Sequence, residues 1–269
     1  MTWLSEELAT LAFCWRVERR DGVAIGLTGH DRDLAIDGIA HRASPGMTPS
    51  AIRREAGLEA ETSDVGGALS SGLIEEADLL AGRWDGARVT LFAADWTDPS
   101  RRVALSEGTI GAVELDGDRF TAELRGAAAA LDRPVAEETS PECRAELGDR
   151  RCRVPMAGRR RLARVVAGDG AALTLDAVEP EADAYGNGRL LWLDGANAGL
   201  EGAVARSAGP TLRLRAPPAF AVAPGTLVEV THGCGKSLEE CRARFGNGSN
   251  FRGEPFLPGM DLLTRYPGG

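Results

Sequence analysis

Two pairs of cysteines bracket a stretch of alternating sequence, and no other feature restricts the possible folds of this chain as strongly. Eight residues separate Cys143 from Cys152, and six separate Cys234 from Cys241. Between the pairs, apolar and polar side chains alternate in short runs: Leu162 to Val166, Leu173 to Leu175, Leu190 to Trp192, around Val204, Leu212 to Leu214, and Leu227 to Val230. Gly168-Asp169-Gly170, Gly186-Asn187-Gly188 and Asp194-Gly195 supply turns between them. Six strands in about 70 residues make a small closed or nearly closed β unit. If the ends of that module meet, as the ends of compact insertions usually do, both cysteine pairs arrive at one place.

Three chemistries use four converging thiols. Two disulfides require an oxidising compartment. A zinc ion accepts four thiolates, but zinc knuckles usually keep each pair roughly two to four residues apart. A cubane iron–sulfur cluster is wider and asks for one thiolate at each of four irons, which suits longer gaps. Spacing alone leaves the cluster little ahead of zinc. Arg144, Arg150, Arg151, Arg153, Arg242 and Arg244 crowd these positions and would favour thiolate over thiol. Glu142, Glu146, Asp149, Glu239 and Glu240 dilute that effect, so a solvated face of mixed charge is an equal reading. Cys14 has no partner in sequence and reads as a small core residue.

Composition narrows the class. The chain has 269 residues, 40 acidic against 31 basic side chains and a net charge of −9, which argues against a protein that coats nucleic acid. No window approaches 18 uninterrupted apolar residues, so no membrane span is expected. The acidic start, Met-Thr-Trp-Leu-Ser-Glu-Glu, is unlike an export signal. Lys236 alone among the basic residues is lysine.

The first 138 residues read as mostly β. Phe13, Trp15 and Val17 alternate with Cys14, Arg16 and Glu18; Arg20-Asp21-Gly22 turns; Val23, Ile25 and Leu27 resume. Short strands fit Leu34 to Ile36, Arg88 to Phe92, Val103 to Leu105, Gly111 to Leu115 and Phe120 to Leu124. Helical turns fit Ile74 to Leu80, Arg125 to Leu131 and Leu238 to Arg244. The expected organisation is a β-rich domain over 1–138, a first cysteine segment over 139–155, a small β module over 156–231, and a second cysteine pair with tail over 232–269. The last of these packs with 139–155. The fold class is mostly β: a barrel or sandwich domain with short helices, a small β module and an irregular cysteine-rich segment.

Rival motifs fail on their own chemistry. Gly235-Lys236-Ser237 resembles the end of a phosphate-binding loop, but the required earlier glycine is Val230. His30-Asp31-Arg32-Asp33 reads as a hydrogen-bonded turn, since only three histidines exist and no acid/base partner is visible. No catalytic set is expected, and the chain reads as a non-enzyme.

The order of motifs resembles the tail hub proteins of gene transfer agents and related prophages. The resemblance is carried by Arg19-Arg20-Asp21-Gly22, Leu27-Thr28-Gly29-His30-Asp31-Arg32-Asp33-Leu34, Ala81-Gly82-Arg83-Trp84-Asp85-Gly86-Ala87 and Cys143-Arg144-Ala145 through Gly148-Asp149 to Cys152. It continues through Gly188-Arg189-Leu190, Gly233-Cys234-Gly235-Lys236-Ser237, Cys241-Arg242-Ala243-Arg244-Phe245 and Asn250-Phe251-Arg252-Gly253. The cysteine-bearing end is similar to the tail-tip protein of lambda-like phages. The resemblance implies a homotrimeric hub at the distal end of a non-contractile tail. It joins a distal tail protein to a large baseplate or fibre protein of the megatron type, with a tail peptidase as a further partner. DNA passes through the ring without specific binding. The resemblance also implies a 4Fe-4S cluster on Cys143, Cys152, Cys234 and Cys241, with zinc as the fallback, and a protein made in the bacterial cytoplasm and carried at the virion tail tip. A redox-active or sensing iron–sulfur protein is the alternative.

Overall fold

A computed structural model of the chain describes residues 10–44, 48–49, 62–68, 73–116, 119–126, 129 and 136–257. It divides into two compact units, Met1–Val135 and Ala136–Gly269. Both are built from strands joined by tight turns, the architecture expected from the sequence. Among the described residues no helix is long and apolar enough to cross a membrane.

In the first unit, β1 (Leu11–Glu18), β2 (Ala24–Thr28), β3 (Leu34–Ile36), β4 (Ile39–Ala43), β5 (Thr48–Pro49) and β6 (Thr62–Ala68) precede helix α1 (Glu76–Leu80). Strands β7 (Arg88–Asp95), β8 (Asp98–Asp116) and β9 (Arg119–Arg125) follow. They form one sheet in the order β3-β4-β2-β1-β7-β8-β9-β6-β5. The β3–β4 hairpin turns on Asp37 and Gly38, both left-handed at φ +50° and +76°, the backbone that a two-residue hairpin matched to strand twist demands.

Strand β1 is buried on both faces, and this corrects the simple alternation. Trp15 and Val17 pack with Leu27, Trp84, Leu91 and Leu124, whereas Ala12 and Cys14 pack on the other side with Leu34, Ile36, Phe92 and Ala94. Phe13, expected to lie inward with Trp15, is 40% exposed, while Cys14 is fully buried. The two strands expected at Val103 to Leu105 and Gly111 to Leu115 are one 19-residue strand, β8. Register shifts against its neighbours absorb the interruptions that made it look broken. Arg125, expected to open a helix, closes β9; most of the remaining predicted helix lies outside the described residues.

In the second unit, β10 (Arg160–Asp169), β11 (Ala172–Leu175), β12 (Arg189–Trp192), β13 (Glu201–Ala208), β14 (Thr211–Leu214) and β15 (Leu227–Thr231) close into a barrel, ordered β10-β11-β14-β13-β12-β15. Val165, Leu173, Leu190, Trp192, Val204, Leu212 and Val228 fill it. Burying each side chain of this size contributes about 1.5–3 kcal/mol. The closure positions the site. The first strand pairs antiparallel with the last, Arg160 opposite Thr231, and His232 N–H donates to the Arg159 carbonyl at 3.0 Å. The chain therefore enters and leaves the barrel at the same end.

Candidate metal centre

At that end lie two irregular segments, each shaped by local polar chemistry. In the first, the Asp149 carboxylate accepts backbone N–H groups from Glu146 (3.0 Å), Arg151 (2.8 Å) and Cys152 (2.6 Å), which closes the turn between Cys143 and Cys152. Burial works against the charge on Asp149, and the three N–H bonds outweigh it and hold the carboxyl below its ordinary range. In the second, Ser237 caps α2 (Leu238–Ala243) by accepting the Glu240 N–H at 3.2 Å. The helix carries Cys241 on its buried side.

Backbone bonds stitch the two segments together. Cys143 N–H donates to the Lys236 carbonyl (2.8 Å), Arg144 N–H to the Arg252 carbonyl (3.0 Å), and Glu254 N–H to the Ser140 carbonyl (2.7 Å). Asn247 N–H donates to the Cys241 carbonyl (2.9 Å), while its side-chain N–H reaches the Cys152 carbonyl (2.6 Å) and lies 3.7 Å from Cys152 Sγ. Cys152 packs with Ala145 and Val154, and Cys143, Leu147 and Phe245 lie against that cluster.

All five cysteines are free thiols, with Cys14, Cys152 and Cys241 buried and Cys143 and Cys234 half-buried. Burial pushes the Cys241 thiol up, and the neighbouring thiols of Cys234, Cys143 and Cys152 push it further. Cys234 is raised first by burial and relieved in part by the Lys236 N–H, 3.4 Å from its sulfur. Arg252 N–H sits at the same distance from Cys143 Sγ. Four free thiols thus share one electrostatic neighbourhood, with N–H donors on three of them. Among the described residues, no three His, Cys, Asp or Glu side chains form a group that holds a metal ion as they are placed. The donor set itself fits a thiolate-bound metal or cluster. Four thiolates repel one another unless a cation compensates them, and N–H···S bonds with an apolar surround are the usual company of ligating sulfur.

Three of the six arginines near the cysteines pair with carboxylates, in keeping with a face of mixed charge. Arg144 grips Glu254 with both Nη atoms (2.6 and 2.8 Å) and Arg151 pairs with Glu137. Arg244 holds Glu181 (2.9 Å) and Glu240 (3.0 Å) and donates to the Ala184 carbonyl (2.6 Å). These guanidiniums tie segments together through carboxylates. Sequence reasoning also missed Asn247; nothing in the sequence signals its reach to Cys152. The Gly235 N–H is taken by Glu240 Oε2 at 2.6 Å, which agrees with rejecting a phosphate loop. His30 accepts the Arg32 N–H at 3.1 Å and lies tilted against the Trp96 ring, a turn as expected.

The fold and site define a mostly β protein whose second unit is a six-stranded barrel with two joined cysteine segments at the end where the chain enters and leaves it. Residues 1–155 match the family of the baseplate hub protein, N-terminal attachment domain, and residues 183–261 match the phage conserved hypothetical protein BR0599 family. A chain in the solved virion of a native gene transfer agent particle is similar at 39% identity, covering 99% of this chain and 94% of that one with a TM-score of 0.86. No curated protein matches. The chain belongs to the baseplate hub protein family of phage-type tails.

Proposed function

We propose that the protein is a structural hub at the tail tip of a gene-transfer-agent-like particle. It assembles as a homotrimer around the DNA exit channel and joins the distal tail protein to the large baseplate or fibre protein, with a tail peptidase as a further neighbour. The observation that carries this reading is the likeness over 99% of the chain to a component of a gene transfer agent virion, together with the hub family match. Residues 136–269 are balanced in charge, so the net −9 resides in the first unit. An acidic lumen lined by that unit lets DNA slide without sticking. The protein is made in the bacterial cytoplasm and acts in the virion.

Cys143, Cys152, Cys234 and Cys241 hold a 4Fe-4S cluster in this reading, with zinc as the fallback. When bound, the group supplies cross-linking and folding energy rather than a reaction. The segments 139–155 and 232–257 contain little apolar side chain and gain most from such a staple. No catalytic residue is assigned. The backbone bonds that join the 143–152 and 234–241 segments, among them Cys143 N–H to the Lys236 carbonyl, support the reading. Iron, sulfide and zinc analysis of anaerobically purified protein tests it: iron with sulfide and absorbance at about 400 nm is expected, and zinc in a colourless protein replaces the cluster with the fallback. Normal particle yield from a Cys234→Ser variant, with unchanged protease resistance, defeats the staple.

A further inference from the structure

We propose that Lys236 is the positioning residue that holds the two cysteine segments in register, through an ammonium contact that arginine does not reproduce. The proposal rests on the four-cysteine reading only for what the site holds; the clamp itself is a matter of geometry. Lys236 meets both pairs through its backbone: its carbonyl accepts the Cys143 N–H at 2.8 Å, and its N–H donates to Cys234 Sγ at 3.4 Å. Its side chain returns to the first segment, where Nζ donates to the Ala145 carbonyl at 2.6 Å and lies 3.2 Å from Glu146 Oε1. Ala145 is 2% exposed and packs against Cys152. One residue therefore touches the neighbourhoods of Cys143, Cys152 and Cys234.

Two features point to the side chain as the reason for the residue. Lys236 has φ +63°, a left-handed backbone that suits glycine and persists in other residues only where surroundings over-determine it. Glycine relieves that strain but removes the ammonium. Every other basic residue in the chain is arginine. The acceptors here are two separate single oxygens, the Ala145 carbonyl and Glu146 Oε1, which suit a compact point charge with rotatable donors and not a planar fork.

A unique lysine makes the test direct. The full-length protein is treated with N-hydroxysuccinimidyl acetate beside a lysine-containing reference peptide, and Lys236 modification is followed by mass spectrometry. Modification at least about tenfold slower than the peptide is expected, because a charge-assisted hydrogen bond must open first. In Lys236→Arg and Lys236→Gly, iodoacetamide labelling of Cys143 and Cys234 should rise by a similar factor, with the β signal in circular dichroism retained. Acetylation of Lys236 at the peptide's rate, or wild-type thiol protection in Lys236→Gly, overturns the clamp. Iron is measured on the same samples. A protected lysine in protein without iron upholds the clamp and removes the cluster; equal iron in all variants with an unprotected lysine does the reverse.

Discussion

Asn247 donates its side-chain N–H to the carbonyl of Cys152, 95 positions earlier in the chain, at 2.6 Å. The same residue gives its backbone N–H to Cys241 at 2.9 Å and accepts from the Asn250 side chain at 2.7 Å. A single residue thus joins one cysteine of each pair, and Asn250 fixes the orientation of its side-chain amide.

Removing that amide should loosen the knot. Asn247→Ala leaves the buried Cys152 carbonyl without its partner, a loss of about 1–3 kcal/mol. Asn247→Asp should cost at least as much, because a carboxylate then faces a carbonyl oxygen. Urea unfolding of the full chain measures both, and an unchanged midpoint in Asn247→Asp contradicts the assigned role.

The Arg144–Glu254 pair makes the tail sensitive to acid. The two-pronged Arg144 contact, with the Ser140 N–H, holds the Glu254 carboxyl down at about 2, from an ordinary glutamate value of 4.5. A depressed folded value means stability is present above the unfolded value and lost as pH falls from 4.5 through about 2. The denaturation midpoint should decline across that window, and Glu254→Gln should flatten the decline. Parallel profiles for the two proteins would remove Glu254 from the account.

Backbone crowding predicts unequal tolerance among glycines. A Cβ at Gly233 would lie 1.9 Å from the Gly186 carbonyl oxygen and 2.2 Å from Gly188 N, where neither backbone yields cheaply. Gly233→Ala should therefore cost more than about 3 kcal/mol and misplace Cys234. At Gly170, with φ +56° and open space around it, alanine bears only the left-handed strain of roughly 1–2 kcal/mol. Comparing the two melting temperatures checks the contrast.

Thiol reactivity should sort the five cysteines. Cys14 is fully buried, and burial raises its thiol, so iodoacetamide should spare it in the folded protein. Treatment with a chelator and a mild reductant should expose Cys143 and Cys234 first, since both are half-buried, ahead of buried Cys152 and Cys241. Labelling of all five at equal rates before treatment would contradict this placement.

Much of the C-terminal unit was legible because its strands are short, regular and separated by glycine turns, so alternation and turn chemistry agree. Leu190, Val204 and Leu212 were named from that pattern, and all lie in the barrel core. The first unit was harder to read. Strand β1 packs apolar side chains on both faces, which erases its two-residue period, and β8 runs through bulges that look like strand ends. Strand β6 carries Gly66, Gly67 and Ala68, with little apolar side chain to reveal it.

The sequence by itself determined the cysteine count, the turn positions, the β character and the acidic balance, because these depend on residue type and near neighbours. Tertiary structure decided which distant groups meet. Pairing of Arg160 with Thr231 brings residues 143 and 234 to one end of the barrel. That closure also places Lys236 on Ala145, Asn247 on Cys152 and Arg144 on Glu254. Such partners carry no mark in sequence, since a hydrogen bond across about a hundred residues depends on the path of the whole chain rather than on local propensity.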